Sequence, residues 1–269
     1  MASIANDKAI IEELNNGSGD IHSLTAYMSY HEIPRDTPIR DIKKKYHNLR
    51  QEAKGIEFAI NYGGNADTIS RNKGIPIEEA NKIYNAYMAG FKGLKAYQDF
   101  RRKDWWDKGY ILLNPITGHK AYIYDWESLK QDQESFKEDG FWEHYRDIKR
   151  TDPNSYTVEK VRHFFKRKSA SEKQSINYPI QATGSMCLRL SLIHFFYYLR
   201  DNNLLGTVKI CVCPYDEINI EAPEAIAEDI AKVLYNCMVK AGAYFCTRCK
   251  LDADISRLED GSLPTYWIH

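Results

Sequence analysis

The sequence predicts an α+β fold, and three observations carry that prediction. Helical patterns fill most of the first 108 residues and return from about residue 169. YILLNPITGHKAYIY (110–124) and TVKICVCPYDEINIEAP (207–223) each read as two β-rich runs around a turn, which makes them antiparallel hairpins. After Pro223, the residues Ile226, Ile230, Val233, Leu234, Cys237 and Met238 share one helical stripe, so a helix there packs one face, most simply onto the second hairpin.

Taken in order, IANDKAIIEELNN (4–16) predicts a first helix, and DIHSLTAYMSY (20–30) a second, opened by Asp20 as N-cap after a Gly-Ser-Gly break. HEIPRDTP (31–38) is a loop. A single helix is expected from Ile39 to Tyr62, closed by Gly63 and Gly64. Residues 76–109 supply one or two helices, opened by Pro76 and bent near Gly90 or Gly93. Residues 109–124 form the first hairpin, and 125–168 are a charged, aromatic, partly helical insert without a clear period. Helical character resumes at Ser171, with Pro179 expected to kink or split the helix because it has no N–H. Residues 169–269 hold the second hairpin, the apolar-striped helix, a last short strand CKLDADI (249–255) and a tail ending in TYWIH.

With 269 residues and 43% apolar content, the chain can bury a sizeable core. No run approaches the roughly 18 apolar residues a membrane span needs, and the N-terminus lacks a basic, then apolar, leader pattern. A cytoplasmic protein is expected, with the six cysteines reduced. The 37 basic and 37 acidic residues cancel but are segregated. KKKYHNLRQEAK (43–54) and KVRHFFKRK (160–168) are basic, whereas DEINIEAPEAIAEDI (216–230) carries six carboxylates and no cation. A polyanion and a divalent cation can therefore occupy different faces of one cleft, although such runs also occur as plain solvated surface.

Three constellations can carry chemistry. Arg50, Lys54, Phe58 and Tyr62 lie four apart, hence on one helix face: two cations whose repulsion calls for an anion, then two rings. That order suits an extended ligand with phosphates at one end and a stackable base at the other; two core aromatics beside two surface cations would look the same. In CPYDEIN, Asp216 and Glu217 sit at a tight turn that can fix a hard divalent cation, or simply be solvated. Asn177 and Gln181 flank Pro179 and can hydrogen-bond base edges or cap a broken helix. Cys211, Cys213, Cys246 and Cys249 are not expected to form a zinc site, since cysteine is often an ordinary core residue.

In order, these segments resemble the C-terminal part of family A DNA polymerases, the bacterial DNA polymerase I type. RQEAKGIEFAINYG (50–63) matches the fingers motif R-x3-K-x3-F/Y-x3-Y-G, INYPIQAT resembles N-x-P-x-Q-G-T, and Tyr215-Asp216-Glu217 resembles the His-Asp-Glu motif. Asp20 and His22 match the family's Asp-x-His, and the tail is similar to the family's C-terminus with a phage-like flavour.

The resemblance implies helical fingers and part of an antiparallel palm sheet within a right-hand polymerase fold. It implies that His22 and Arg50 hold the β- and γ-phosphates of an incoming dNTP. Lys54 lies on the α- and β-phosphates and protonates the leaving pyrophosphate, Phe58 packs on the sugar, and Tyr62 sits near the template base. Asn177, Gln181 and Tyr215 contact the primer-template, Asp216 ligates Mg²⁺ in a two-metal site, and Glu217 assists.

Some family features are absent or altered. The 269 residues contain no segment resembling D-Y/F-S-x-I-E-x-R, the motif that carries the second metal-binding aspartate, and no thumb or exonuclease is expected. The expected partners are primer-template DNA, dNTPs and an N-terminal polymerase fragment carrying that motif. An inactive fragment, a DNA-binding module without catalysis, and a single-subunit RNA polymerase are the alternatives. Tyr215 replaces a histidine, Ala182 a glycine, and Gly118-His119-Lys120 stands where arginines often follow the glycine. Phe58 in place of tyrosine implies discrimination against dideoxynucleotides.

Overall fold

The structure is a computed structural model and describes residues 1–265, so the tail residues 266–269 lie outside it. It is α+β, mostly helical, with two two-stranded antiparallel sheets. Helices α1 (Ala2–Ala5), α2 (Lys8–Asn16), α3 (Ile21–Ser29), α4 (Ile39–Lys45), α5 (His47–Asn61), α6 (Ala66–Lys73), α7 (Ile77–Gly90) and α8 (Lys92–Lys108) come first. The hairpin of β1 (Tyr110–Leu112) and β2 (Lys120–Tyr122) follows, then α9 (Trp126–Ser135), α10 (Phe141–Thr151) and the long α11 (Tyr156–Asp201). Strands β3 (Lys209–Val212) and β4 (Asn219–Glu221) form the second hairpin, and α12 (Glu224–Phe245) closes the order. No helix among the described residues is long and apolar enough to cross a membrane.

Three hydrophobic cores are strung along α11. The first gathers Leu24, Ile33, Ile42, Ile56, Ile60, Tyr87, Phe91 and Leu94 from α3 to α8 against Ile176. The second packs Trp105, Ile111, Leu129 and Phe136 against Val161 and Phe164. The third packs Ile230, Leu234 and Cys237 of α12 against Phe195 and Leu199, with Ile218 and Ile220 of the second hairpin alongside. All six residues of the stripe after Pro223 belong to this last core, as their spacing predicts.

Several elements differ from the sequence expectation. The first helix is two, because Asn6 adopts a left-handed conformation (φ 51°) and Asp7 then caps α2 through Ala9 N and Ile10 N. Asp7 also accepts from Leu94 N at 2.9 Å, so it ties the start of α8 to α2. The approach is close enough to require glycine at 93, where a Cβ would sit 2.5 Å from Asp7 Cα. The helix expected over 39–62 is broken at Tyr46 (φ −130°, ψ 45°). The break leaves Lys43, Lys44 and Lys45 in the last turn of α4, where cations interact favourably with the helix dipole; an unbroken helix would hold them in its second turn, nearer the positive end.

Pro179 does not split α11, which runs unbroken for 46 residues and passes through residue 168, where the sequence places the end of the insert. The proline has no N–H for the Ser175 carbonyl, and the fold supplies substitutes. Arg101 Nε donates to Ser175 O at 3.0 Å, and the Tyr97 hydroxyl donates to Ile176 O at 2.8 Å. Both donors come from α8, and Arg101 also donates to Leu112 O at 2.8 Å, so one buried guanidinium joins α8, α11 and β1. The strand expected over 249–255 does not form among the described residues. That segment instead runs back to the N-terminus: Asn15 Nδ2 donates to Arg248 O, Lys250 N donates to Asn15 Oδ1, and Arg248 Nη1 donates to Ser3 O.

Candidate functional site

The site begins at Asp20, the N-cap of α3. Its carboxylate accepts from Ser23 N at 3.1 Å and from Ser23 Oγ at 2.8 Å. The same group receives Arg50 from α5 in a bidentate pair, Nε to Oδ2 and Nη2 to Oδ1, both at 2.9 Å. Burial alone would raise the Asp20 carboxyl, but the Arg50 and Ser23 hydrogen bonds outweigh it and lower the pKa to about 2. The anion that the Arg50–Lys54 repulsion calls for is thus partly internal. Asp20 takes one edge of the guanidinium, and the Nη1 side remains for a ligand.

In the first turn of α3, His22 Nδ1 lies 2.7 Å from Glu57 Oε2. Glu57 is buried and also accepts from Thr25 Oγ1 at 3.3 Å and Asn61 Nδ2 at 3.4 Å, so its carboxylate is fixed from both helices. The Phe58 ring stands 6.1 Å from the imidazole, tilted by 52°. Asp20, His22, Arg50 and Glu57 line one open cleft of 530 Å³ together with Ser18, Gly19, Ile21 and Lys43. The break at Tyr46 belongs to this geometry, since it separates the α4 turn that carries Lys43 from the α5 turn that carries Arg50. Lys43 has no ion-pair partner among the described residues, whereas Arg50 and His22 each have a carboxylate.

Farther along α5, Lys54 is exposed, and Phe58 and Tyr62 remain about half exposed at 49% and 51%. Aromatic rings left in water on a helix whose other face is buried are available for stacking. Asn177 donates to Tyr62 O at 3.2 Å and to Lys173 O at 2.9 Å, so its amide stitches α11 to the end of α5. Gln181, one turn on, is exposed.

The second hairpin places Asp216 and Glu217 at its tip. Pro214 O accepts from Glu217 N at 3.0 Å and closes the turn, and Tyr215 takes the left-handed conformation at φ 53° with its ring almost fully exposed. A register shift between Ile210 and Val212 bulges β3 just before the turn. Asp216 is exposed, Glu217 is half-buried, and the apolar anchors Ile218 and Ile220 hold the tip to the third core. Among the described residues, no group of three or more His, Cys, Asp or Glu side chains is placed to hold a metal ion. Cys249 lies in the first core and Cys211 is exposed on β3, so the four cysteines do not form a thiolate cluster.

The family model described as DNA polymerase family A matches residues 1–257. The chain belongs to that family. Among curated members it is 24% identical over 241 residues to DNA polymerase I of Geobacillus stearothermophilus, covering 90% of this chain and 22% of that protein. It is 27% identical over 235 residues to DNA polymerase I of Caldicellulosiruptor bescii, covering 86% and 22%. The chain therefore spans between a fifth and a quarter of the length of these family A polymerases. A solved structure described as the POL domain of Pol1 from M. smegmatis in complex with DNA primer-template and dNTP superposes with a TM-score of 0.65. That likeness covers 89% of this chain and 34% of the other at 19% identity, and it bears on the fold alone.

Three residues of this family A cleft escape a reading of the sequence. Asp20 is legible as an N-cap, but its pairing with Arg50 thirty residues on is not. Glu57 lies seven residues after Arg50, two turns along the same side of α5, but falls outside the four-residue spacing of the Arg50–Lys54–Phe58–Tyr62 stripe. Lys43 is one of three adjacent lysines, and only the bend at Tyr46 distinguishes it.

Proposed function

We propose that the chain takes part in template-directed DNA synthesis, supplying the dNTP-binding helix and one metal-binding aspartate of a polymerase. The observation that carries this reading is the single cleft in which α3 and α5 join His22 and Arg50, with Lys43 on its wall and two half-exposed rings farther along α5. Such a surface offers Lys43 and the open edge of Arg50 where a triphosphate lies, and exposed rings where a nucleoside lies. The solved polymerase domain that the chain resembles is described with primer-template and dNTP, which supports assigning those ligands here.

In this reading the primer 3′-hydroxyl attacks the α-phosphorus, the bond to the β-phosphate bridging oxygen breaks, and pyrophosphate leaves. The open Nη1 edge of Arg50 and the ring of His22 hold the outer phosphates. Lys54 contacts the inner ones and gives a proton to the departing pyrophosphate, while Phe58 packs on the sugar and Tyr62 lies by the template base. Asn177 holds the Tyr62 backbone in register, and Gln181 and Tyr215 reach the primer-template.

Asp216 on its anchored turn, with Glu217 beside it, is a hard-oxygen donor set of the kind that holds Mg²⁺ together with waters and substrate phosphates. When bound, Mg²⁺ supplies charge stabilisation to the reacting oxygens. One exposed carboxylate and its neighbour do not complete a site for two ions, so this reading calls for a second acidic residue from a segment other than those described here. The second hairpin is suited to receive it. Ile210 and Val212 are exposed, neither edge pairs with a further strand among the described residues, and Ile210 shares an open apolar groove of 360 Å³ with Leu192, Ile193, Phe196 and Tyr197. What it would receive is a strand with a D-x-S-x-I-E-like sequence, and the split-enzyme reading places that strand on a partner polypeptide.

Primer extension tests the proposal. The chain together with such a polypeptide extends a primer, and Asp216→Ala abolishes extension while primer-template binding persists. Absence of dNTP incorporation by a demonstrated complex overturns the split-enzyme reading, and extension unaffected by Asp216→Ala overturns the metal role.

A further inference from the structure

The basic run 160–168 divides into two faces on α11. One face is neutralised by the insert. Lys160 Nζ lies 3.4 Å from Asp132, and Arg167 Nε lies 2.7 Å from Asp125 with its Nη1 3.6 Å from Asp132; Lys168 Nζ, turned toward α8, stands 4.9 Å from the centre of the Trp106 ring. The other face is not neutralised. Arg162, Lys166 and Lys173 are exposed, and at about 100° per residue they fall within about 40° of one another around the helix. Lys166 and Lys173 have no ion-pair partner among the described residues, and Arg162 makes only a 3.3 Å hydrogen bond to Pro153 O. Glu159 and Glu172 border the stripe without pairing to it.

The stripe is continuous with the polymerase site. Lys173 packs against Gly63, immediately after Tyr62, and its carbonyl accepts from Asn177 Nδ2. From Arg162 to Lys173 it measures about 16 Å at about 1.5 Å per residue. That is about five stacked nucleotides of one strand at about 3.4 Å each. Beside it, the Phe165 ring is 51% exposed. A line of cations with an accessible ring alongside is the pattern that holds an unpaired strand, whose base faces are open to stacking.

We propose that Arg162, Lys166 and Lys173, with Phe165, form a track for single-stranded DNA, the unpaired stretch of the template strand. The assignment of the strand as template rests on the polymerase reading; the affinity for single-stranded DNA does not. The insert, by neutralising one face of the basic run and leaving the other bare, gives the track its width.

The test measures binding of the full chain to a labelled oligothymidylate of about 20 nucleotides, long enough to cover such a groove, as salt is varied. Arg162→Gln/Lys166→Gln/Lys173→Gln binds about tenfold more weakly, and its dependence of log K on log salt is shallower by about 2, the loss of three phosphate contacts at about 0.7 each. Phe165→Ala weakens binding about fivefold with the slope unchanged. A control removing three cations elsewhere, Lys149→Gln/Arg150→Gln/Lys232→Gln, binds like the unaltered chain. A slope unchanged in the first variant, or lowered equally in the control, overturns the track. If the unaltered chain binds the oligonucleotide with this pattern yet never takes part in primer extension, the polymerase reading fails and the track stands. If primer extension occurs while the slope is indifferent to the three substitutions, the polymerase reading stands and the track fails.

Discussion

Replacing Asp20 by Asn tests how the cleft is held. The substitution keeps the shape and one oxygen acceptor for the Ser23 cap but removes the charge that faces Arg50 across two 2.9 Å hydrogen bonds. With Asp20 at about 2 in the fold against an ordinary 3.8, the full linkage would be about 2.4 kcal/mol at 1.36 kcal/mol per unit. Partial solvent screening reduces this to about 1–2 kcal/mol.

The sign follows from proton uptake. Between pH 2 and 3.8 the unfolded chain binds the proton that the folded one refuses, so this contribution is fully present above about 4 and lost as pH falls through 2. About half of it is gone by pH 3. Urea unfolding followed by tryptophan fluorescence, run from pH 7 to pH 3, should therefore show a gap between the two proteins that is constant down to about pH 4.5 and then narrows. A gap that stays the same at pH 3, or is absent at pH 7, refutes the bidentate pair as the holder of Arg50.

Other substitutions reach the rest of the molecule. Arg101→Met removes the donor to Ser175 O and Leu112 O and should cost about 3–5 kcal/mol, as loss of a buried charged hydrogen-bonding group does, measured by the urea midpoint at constant m. Phe58→Tyr should relax discrimination against dideoxynucleotides in the assembled enzyme, read as the ratio of dNTP to ddNTP incorporation. Lys43→Gln should raise the dNTP KM about three- to tenfold with kcat little changed, the loss of one cation at a phosphate being worth about 1 kcal/mol; a fall in kcat at constant KM would contradict its place on the cleft wall.

Local chemistry is legible in the sequence, and long-range support is not. The N-cap at Asp20, the apolar stripe after Pro223 and the turn at Pro214 to Glu217 follow from residue types within a few positions, and each stands where expected. The family resemblance likewise singles out His22 and Arg50, and the structure brings them from α3 and α5 into one cleft. The unbroken course of α11 is hidden because the groups that compensate for Pro179 belong to α8, more than 70 residues earlier. The break at Tyr46 is hidden for a similar reason. Both halves of 39–62 have good helical patterns, and only packing decides that Ile42 and Ile56 are buried from differently directed helices. The expected last strand fails for want of a pairing partner among the described residues, since β propensity does not supply one.

The threading of three cores by α11 also dictates an order of events during synthesis. The first core lacks its Ile176 wall, and the carbonyls that receive Tyr97 and Arg101 do not yet exist, until synthesis has passed residue 176. The bonds from Ser3 and Asn15 to Arg248 and Lys250 wait still longer, joining positions more than 230 residues apart. Closing contacts of such sequence separation slows folding, and it leaves helices α1 to α8 emerging with apolar faces uncovered. A growing chain of this topology keeps part of its apolar surface in water until its longest helix is complete.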